Sequence, residues 1–159
     1  VRKALVLDTQ LAVLLVVGNA DRGYIERHKR LSAYRSEDHD LLCRVVDRFR
    51  SLICSVNVLT ETSNLTRQIS EPMKSEIAAS LRRLILHCEE IYSPSVNIAP
   101  SAEFRSLGLT DAGLLAILNH DRVLLTADLP LYLEAMQKGL VAVSFAHLQE
   151  NEMQLSAGF

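Results

Sequence analysis

Apolar and polar positions alternate along the chain in two rhythms, one of strands and one of helices. Ala4 to Leu7 is a short run of strand formers ending at Asp8, and Leu11 to Val17 is an unbroken apolar stretch that reads as a buried helix closed by Gly18. Tyr24 to Ala33 and Asp38 to Arg50 read as two amphipathic helices, the second carrying Leu41, Leu42, Val45, Val46 and Phe49 at helical spacing. Leu52 to Val56 reads as a second strand and Asn57 to Gln68 as a helix. Glu71-Pro72 then punctuates the chain before a long helix from Pro72 to about His87, with proline tolerated in the first turn. Glu90 to Ser93 reads as a third strand, and the mixed segment SPSVNIAPSAEF shows neither rhythm. Thr110 is a suitable N-cap for a helix over Asp111 to Asn119. Val123 to Thr126 predicts a strand, Pro130 to Lys138 a helix stopped by Gly139, and Val141 to Phe145 a last strand.

Strand and helix thus alternate from end to end. That order predicts an α/β fold: a three-layer α/β/α sandwich with a central parallel sheet of about four to five strands. No repeat or linker divides the chain. One domain over residues 1–148 is expected, with a helical basic insertion at about 19–50 and a loose tail at 149–159.

Composition narrows the class. The chain has 159 residues, 48% apolar and 23% charged, which excludes a disordered or collagen-like chain. Its longest apolar run, LAVLLVV, is far short of the roughly 20 residues of a membrane-spanning helix, so no membrane partner is expected. The opening VRKALVLD carries few apolar residues, so no secretory signal is expected. Cys43, Cys54 and Cys88 form no CxxC pair and suit a reducing cytoplasm better than a disulfide framework.

The net charge of −2 hides a polarised chain. Arg22 to Arg35 holds five Lys or Arg against Glu26 alone, whereas Leu84 to Phe159 holds three basic residues against nine acids. A basic segment of this kind suits a polyanion, with Arg27, Lys29 and Arg30 as candidate phosphate contacts, or it is an ordinary solvated face.

In open α/β sheets ligands bind beyond the carboxyl ends of the strands, so acids at strand ends are the residues to examine. Asp8 closes the first strand and Asp128 follows the strand VLLT. Glu61, in VLTETSNL, and Asp111, just behind Thr110, open or lie early in helices aimed at the same edge. Each has a plainer reading: Asp8 and Asp128 as turn or cap residues, Asp111 as a first-turn acid favoured by the helix dipole. Glu61 is the most informative, because its apolar neighbours Val58, Leu59 and Leu65 predict a partly buried carboxylate with no Lys or Arg between Cys54 and Thr66 to pair with it. Four converging carboxylates repel one another unless a cation neutralises them, and oxygen-only ligands favour Mg²⁺ or Mn²⁺. Weaker constellations, such as His39 with Cys43 four residues on, lack the spacing of a zinc site.

Four segments, LVLDTQLAVLL, VLTETSNL, GLTDAGLLAIL and LLTADLPLYLEAMQKGLVAVSF, resemble in order the motifs of PIN-domain proteins, metal-dependent ribonucleases that include the toxin halves of bacterial toxin–antitoxin pairs. The resemblance implies an Mg²⁺- or Mn²⁺-dependent endoribonuclease with Asp8, Glu61, Asp111 and Asp128 as its catalytic and metal-holding acids. It implies Thr126 as the hydroxyl residue before the last acid and Thr9 as a further supporting polar residue. Gln10 stands where the family often has Asn. RNA, an antitoxin protein and a second copy, meeting through the early helices, are the partners it implies; a stand-alone nuclease shares the chemistry without the antitoxin. The alternative is a PIN-like module that binds RNA or protein with little or no cleavage.

Overall fold

The computed structural model describes residues 1–157. Five parallel strands, β1 (Ala4–Leu7), β2 (Leu52–Ser55), β3 (Glu89–Ile91), β4 (Arg122–Thr126) and β5 (Ala142–Ser144), form one sheet in the order β3-β2-β1-β4-β5. Leu5 of β1 stands between Leu52 and Val123, and Val6 between Ile53 and Leu124. The three-layer α/β/α sandwich expected from the alternation is the observed architecture.

The pleat of the central strands divides the core in two. Leu5 and Leu7 face one layer with Cys54, Val123 and Leu125; Ala4 and Val6 face the other with Ile53 and Leu124. The first layer is built from α1 (Thr9–Ala20), α2 (Ser36–Val46) and α4 (Met73–His87), with Phe145 of the last helix, α9 (Phe145–Ser156). The second is built from α7 (Leu109–Ile117) and α8 (Leu129–Gln137), with α5 (Ser95–Ile98) and α6 (Ala102–Leu107) against α7. The remaining helix, α3 (Val56–Thr66), follows β2 directly and touches both layers, Leu59 joining the first and Val58 the second. It therefore lies at the carboxyl end of the sheet, where strand-end side chains can reach it.

α1 is buried without a break from Leu11 to Gly18, as a helix enclosed by the sheet, α2, α3 and α4 must be. Gly18 does not end it. The helix runs on to Ala20, and a Cβ at Gly18 would lie 2.2 Å from the His39 ring, so glycine here makes room for α2.

Several other expectations are corrected. Tyr24 to Ala33 is not a helix; it forms two 3₁₀ turns, Arg22–Tyr24 and Lys29–Leu31. Its buried residues, Ile25, His28 and Leu31, recur every three residues, the 3₁₀ period, and the His28 side chain caps the second turn by accepting from Arg30 N–H. α2 ends at Val46, before Arg50. The cap of α7 is Gly108, at φ 84°, and not Thr110, whose hydroxyl is engaged elsewhere. SPSVNIAPSAEF folds into the short α5 and the start of α6. The expected loose tail is helical through Ser156: Leu148 packs on the core, Gln149 Nε2 donates to Asp38 Oδ1 at 2.9 Å, and Arg44 pairs with Glu152 at 3.0 Å. Its last two residues, 158–159, lie outside the described residues.

Candidate metal centre

The strand order reverses between β1 and β4, because the chain leaves β1 toward β2 on one side and later returns to β4 on the other. A crevice for ligands opens at such a reversal, beyond the strands' carboxyl ends. Asp8 and Asp128 stand there.

Asp8 is buried, 3% exposed, and caps α1 through Oδ1, which accepts from Leu11 N–H at 3.0 Å. Its Oδ2 accepts from the Thr126 hydroxyl and from Ala127 N–H at 2.8 Å. Thr126 in turn accepts from Asp128 N–H at 2.9 Å, so this hydroxyl ties the end of β1 to the end of β4. Burial holds the Asp8 carboxyl above its usual range, helped by the charge of Asp128 and opposed by these three hydrogen bonds. Asp128 is exposed and caps α8, its Oδ1 accepting from Leu131 N–H at 2.9 Å. The capping reading of both aspartates therefore holds alongside their position at the crevice.

Glu61 is exposed, which corrects the expectation of a partly buried carboxylate. The inward face of α3 carries Val58, Leu59, Thr62 and Thr66, and Glu61 lies off that stripe. Its oxygens bridge two other helices: Oε2 accepts from the Thr9 hydroxyl at 2.9 Å, and Oε1 from the Thr110 hydroxyl at 2.8 Å. Asp111, half-buried on the first turn of α7, is pushed up to about 7, first by burial and then by the charges of Asp128, Asp8 and Glu61, with no hydrogen bond to offset them. The four acids thus share one electrostatic field. Among the described residues no Lys, Arg or His forms an ion pair with any of them.

Two other residues border this edge without having been expected at the site. Thr110 holds Glu61, where sequence alone offers it only as a helix cap. Tyr34 has its hydroxyl pushed up to about 12, by burial first and then by the Asp8 and Asp38 carboxylates. Gln10 donates from Nε2 to the Arg30 carbonyl at 3.0 Å and so fastens the basic segment beside the start of α1. Arg27 and Lys29 are exposed; Arg30 donates from Nε to Gln68 Oε1 at 2.7 Å, and Arg22 pairs with Asp40 at 2.6 Å.

The donor set fits a hard divalent cation in kind: oxygen ligands only, net negative, and among the described residues in no ion pair with a basic side chain. In position it is looser. Among the described residues no three His, Cys, Asp or Glu side chains lie close enough together to share one ion as they stand, because Asp8 and Glu61 are each turned onto hydroxyl or amide donors.

No protein-family model matches the chain, and no curated protein does. Among solved structures, the chain is similar to a domain of a functionally unknown protein from Methanocaldococcus jannaschii DSM 2661. That match has 19% identity over 89% of this chain and 90% of that one, with a TM-score of 0.46. Among the described residues no helix is long and apolar enough to cross a membrane.

Proposed function

We propose that the chain is an Mg²⁺- or Mn²⁺-dependent endoribonuclease of the PIN kind, acting in the cytoplasm on RNA. One observation carries the reading: Asp8, Glu61, Asp111 and Asp128 gather at the strand reversal in one electrostatic field, and among the described residues no basic side chain forms an ion pair with any of them. Asp8, Glu61 and Asp128 are the residues to hold the ion, with Asp111 completing the site or orienting the attacking water. A divalent ion bound there supplies Lewis-acid polarisation of a phosphodiester and lowers the pKa of water. The chain supplies the rest. Thr126 and Ala127 N–H fix Asp8, Thr9 and Thr110 fix Glu61, and the caps of α1 and α8 fix the backbone of both aspartates. The basic segment beside α1 faces the polyanion, with Arg27 and Lys29 open to phosphates.

The test is cleavage of a fluorescent pool of single-stranded RNA with Mg²⁺ or Mn²⁺. Cleavage that stops in Asp8→Asn and Asp128→Asn, and in excess chelator, is the expected result. Undiminished cleavage in both variants overturns the assignment of the site. The second reading is a PIN-like module that binds without cleaving, favoured by the absence of three preassembled ligands among the described residues. It requires RNA retention with no metal-dependent product. Pairing with an antitoxin and self-association through the early helices belong to the same proposal, and light scattering with and without Mg²⁺ reads the second directly.

A further inference from the structure

On the outer side of the first layer a cleft of about 230 Å³ runs between α3 and α4. α4 has two stripes. Met73, Ile77 and Ser80 face the core, Leu81 is buried between core and cleft, and Ala78, Arg82, Ile85 and Leu86, at i, i+4, i+7 and i+8, line the cleft. Ile85 is 42% exposed and Leu86 63% exposed, so this second stripe is apolar without being covered by the chain's own core. From α3 the cleft takes Ser63 and Thr66, and from the residue that caps its end Arg67. Among the described residues its charge has one sign: Arg67 and Arg82 line it, and no acid does. The acid that acts on Arg67, Glu71, is already held by Ser75 N–H at 3.1 Å and lies 3.9 Å from Lys74. Arg82 forms no ion pair among the described residues.

We infer that this cleft is a docking site for an acidic amphipathic helix of a partner protein, its apolar side chains on Ile85 and Leu86 and its carboxylates on Arg67 and Arg82. Charge complementarity selects the occupant. Guanidinium groups beside an apolar floor pair with carboxylates in a fixed fork and are weakly hydrated, so they suit an interface that is partly dried on binding. Anchors at i, i+3, i+4 and i+7 are how a helix fills a groove of this form. A small molecule is a poorer fit, since the cleft is below the roughly 300–1,000 Å³ of ligand pockets and open to solvent. So is a nucleic acid, because among the described residues no aromatic side chain lines the cleft for bases to stack on.

The test is selection from a displayed library of helical peptides against the full chain. The peptides carry a fixed apolar stripe and randomised flanking positions, and the selected peptides are then measured against the Arg67→Glu/Arg82→Glu variant. All substituted side chains are at the surface, and circular dichroism checks that the variants fold. The expected result is enrichment of Asp and Glu at the flanks, and binding at least tenfold weaker to the double variant and to Ile85→Asp. No enrichment, enrichment without acidic flanks, or equal binding to the variants overturns it. So does a dimer by light scattering that Ile85→Asp dissolves, because a second copy then fills the cleft.

Discussion

Asp111 is the residue at which the electrostatics of the crevice is most readily measured. Its carboxyl ionises at about 7 in the folded chain against an ordinary 3.8, burial being the first cause and the other three acids the second. An acid whose folded value is raised makes the folded state hold its proton longer. Stability is therefore lost as the pH climbs from about 4 to about 7, and no further above that. A gap of roughly three pH units corresponds to about 4 kcal/mol at most, and partial exposure to solvent reduces this to roughly 2 kcal/mol. Asp111→Asn keeps the shape and removes the charge. In chelator at pH 8, urea unfolding is expected to show the variant more stable by about 2 kcal/mol, or by roughly 4–8 °C in Tm for a domain of this size. The gain is expected to shrink toward zero as the pH falls to about 3, below both values, where the folded and unfolded carboxyls are largely neutral. Saturating Mn²⁺ is expected to narrow or reverse the order, since the ion stabilises only the state that binds it. A variant no more stable than wild type at pH 8, or a gain that does not change with pH, refutes the reasoning.

Three further outcomes follow from particular side chains. Gly18→Ala drives a methyl group to 2.2 Å from the His39 ring, and chemical denaturation is expected to show a loss of about 1–3 kcal/mol, largely restored when His39→Ala is added. Thr110→Val removes one of the two hydroxyls on Glu61; calorimetry is expected to show weaker Mn²⁺ binding with Tm little changed, and Thr110→Ser to recover the binding. Neutralising Arg27, Lys29 and Arg30 to Gln is expected to weaken RNA binding about equally across sequences and to lower the log-affinity against log-salt slope by about 1 for each phosphate left without its cation; an unchanged slope returns these residues to the solvated face.

The sandwich was legible because its signals are local and repeated. β1 and β4 are apolar runs ended by Asp8 and Thr126, and Pro130 and Gly139 mark the two ends of α8. The acids at the carboxyl edge were legible for a related reason: in a parallel sheet the residue after a strand must lie at that edge, whatever the rest of the chain does. What sequence could not give was set by packing between distant residues. Gly18 has the composition of a helix stop and becomes part of α1 only because α2 brings His39 against it. Glu61 sits among apolar neighbours, yet the twist of α3 turns it outward to Thr9 and Thr110, residues 52 and 49 positions away. The segment after α1 has apolar residues frequent enough for a helix, but their period of three winds it as 3₁₀ turns around Ile25, His28 and Leu31.

The central claim is that these carboxylates hold a divalent cation, and Mn²⁺ titration by calorimetry of wild type and Asp128→Asn tests it most directly. Asparagine keeps an oxygen to cap α8 through Leu131 N–H, so the fold is retained while one charge is lost. The account expects saturable binding to wild type, competed by Mg²⁺, and binding at least tenfold weaker to the variant. Wild type that binds no Mn²⁺, or a variant that binds it as tightly, contradicts the metal centre.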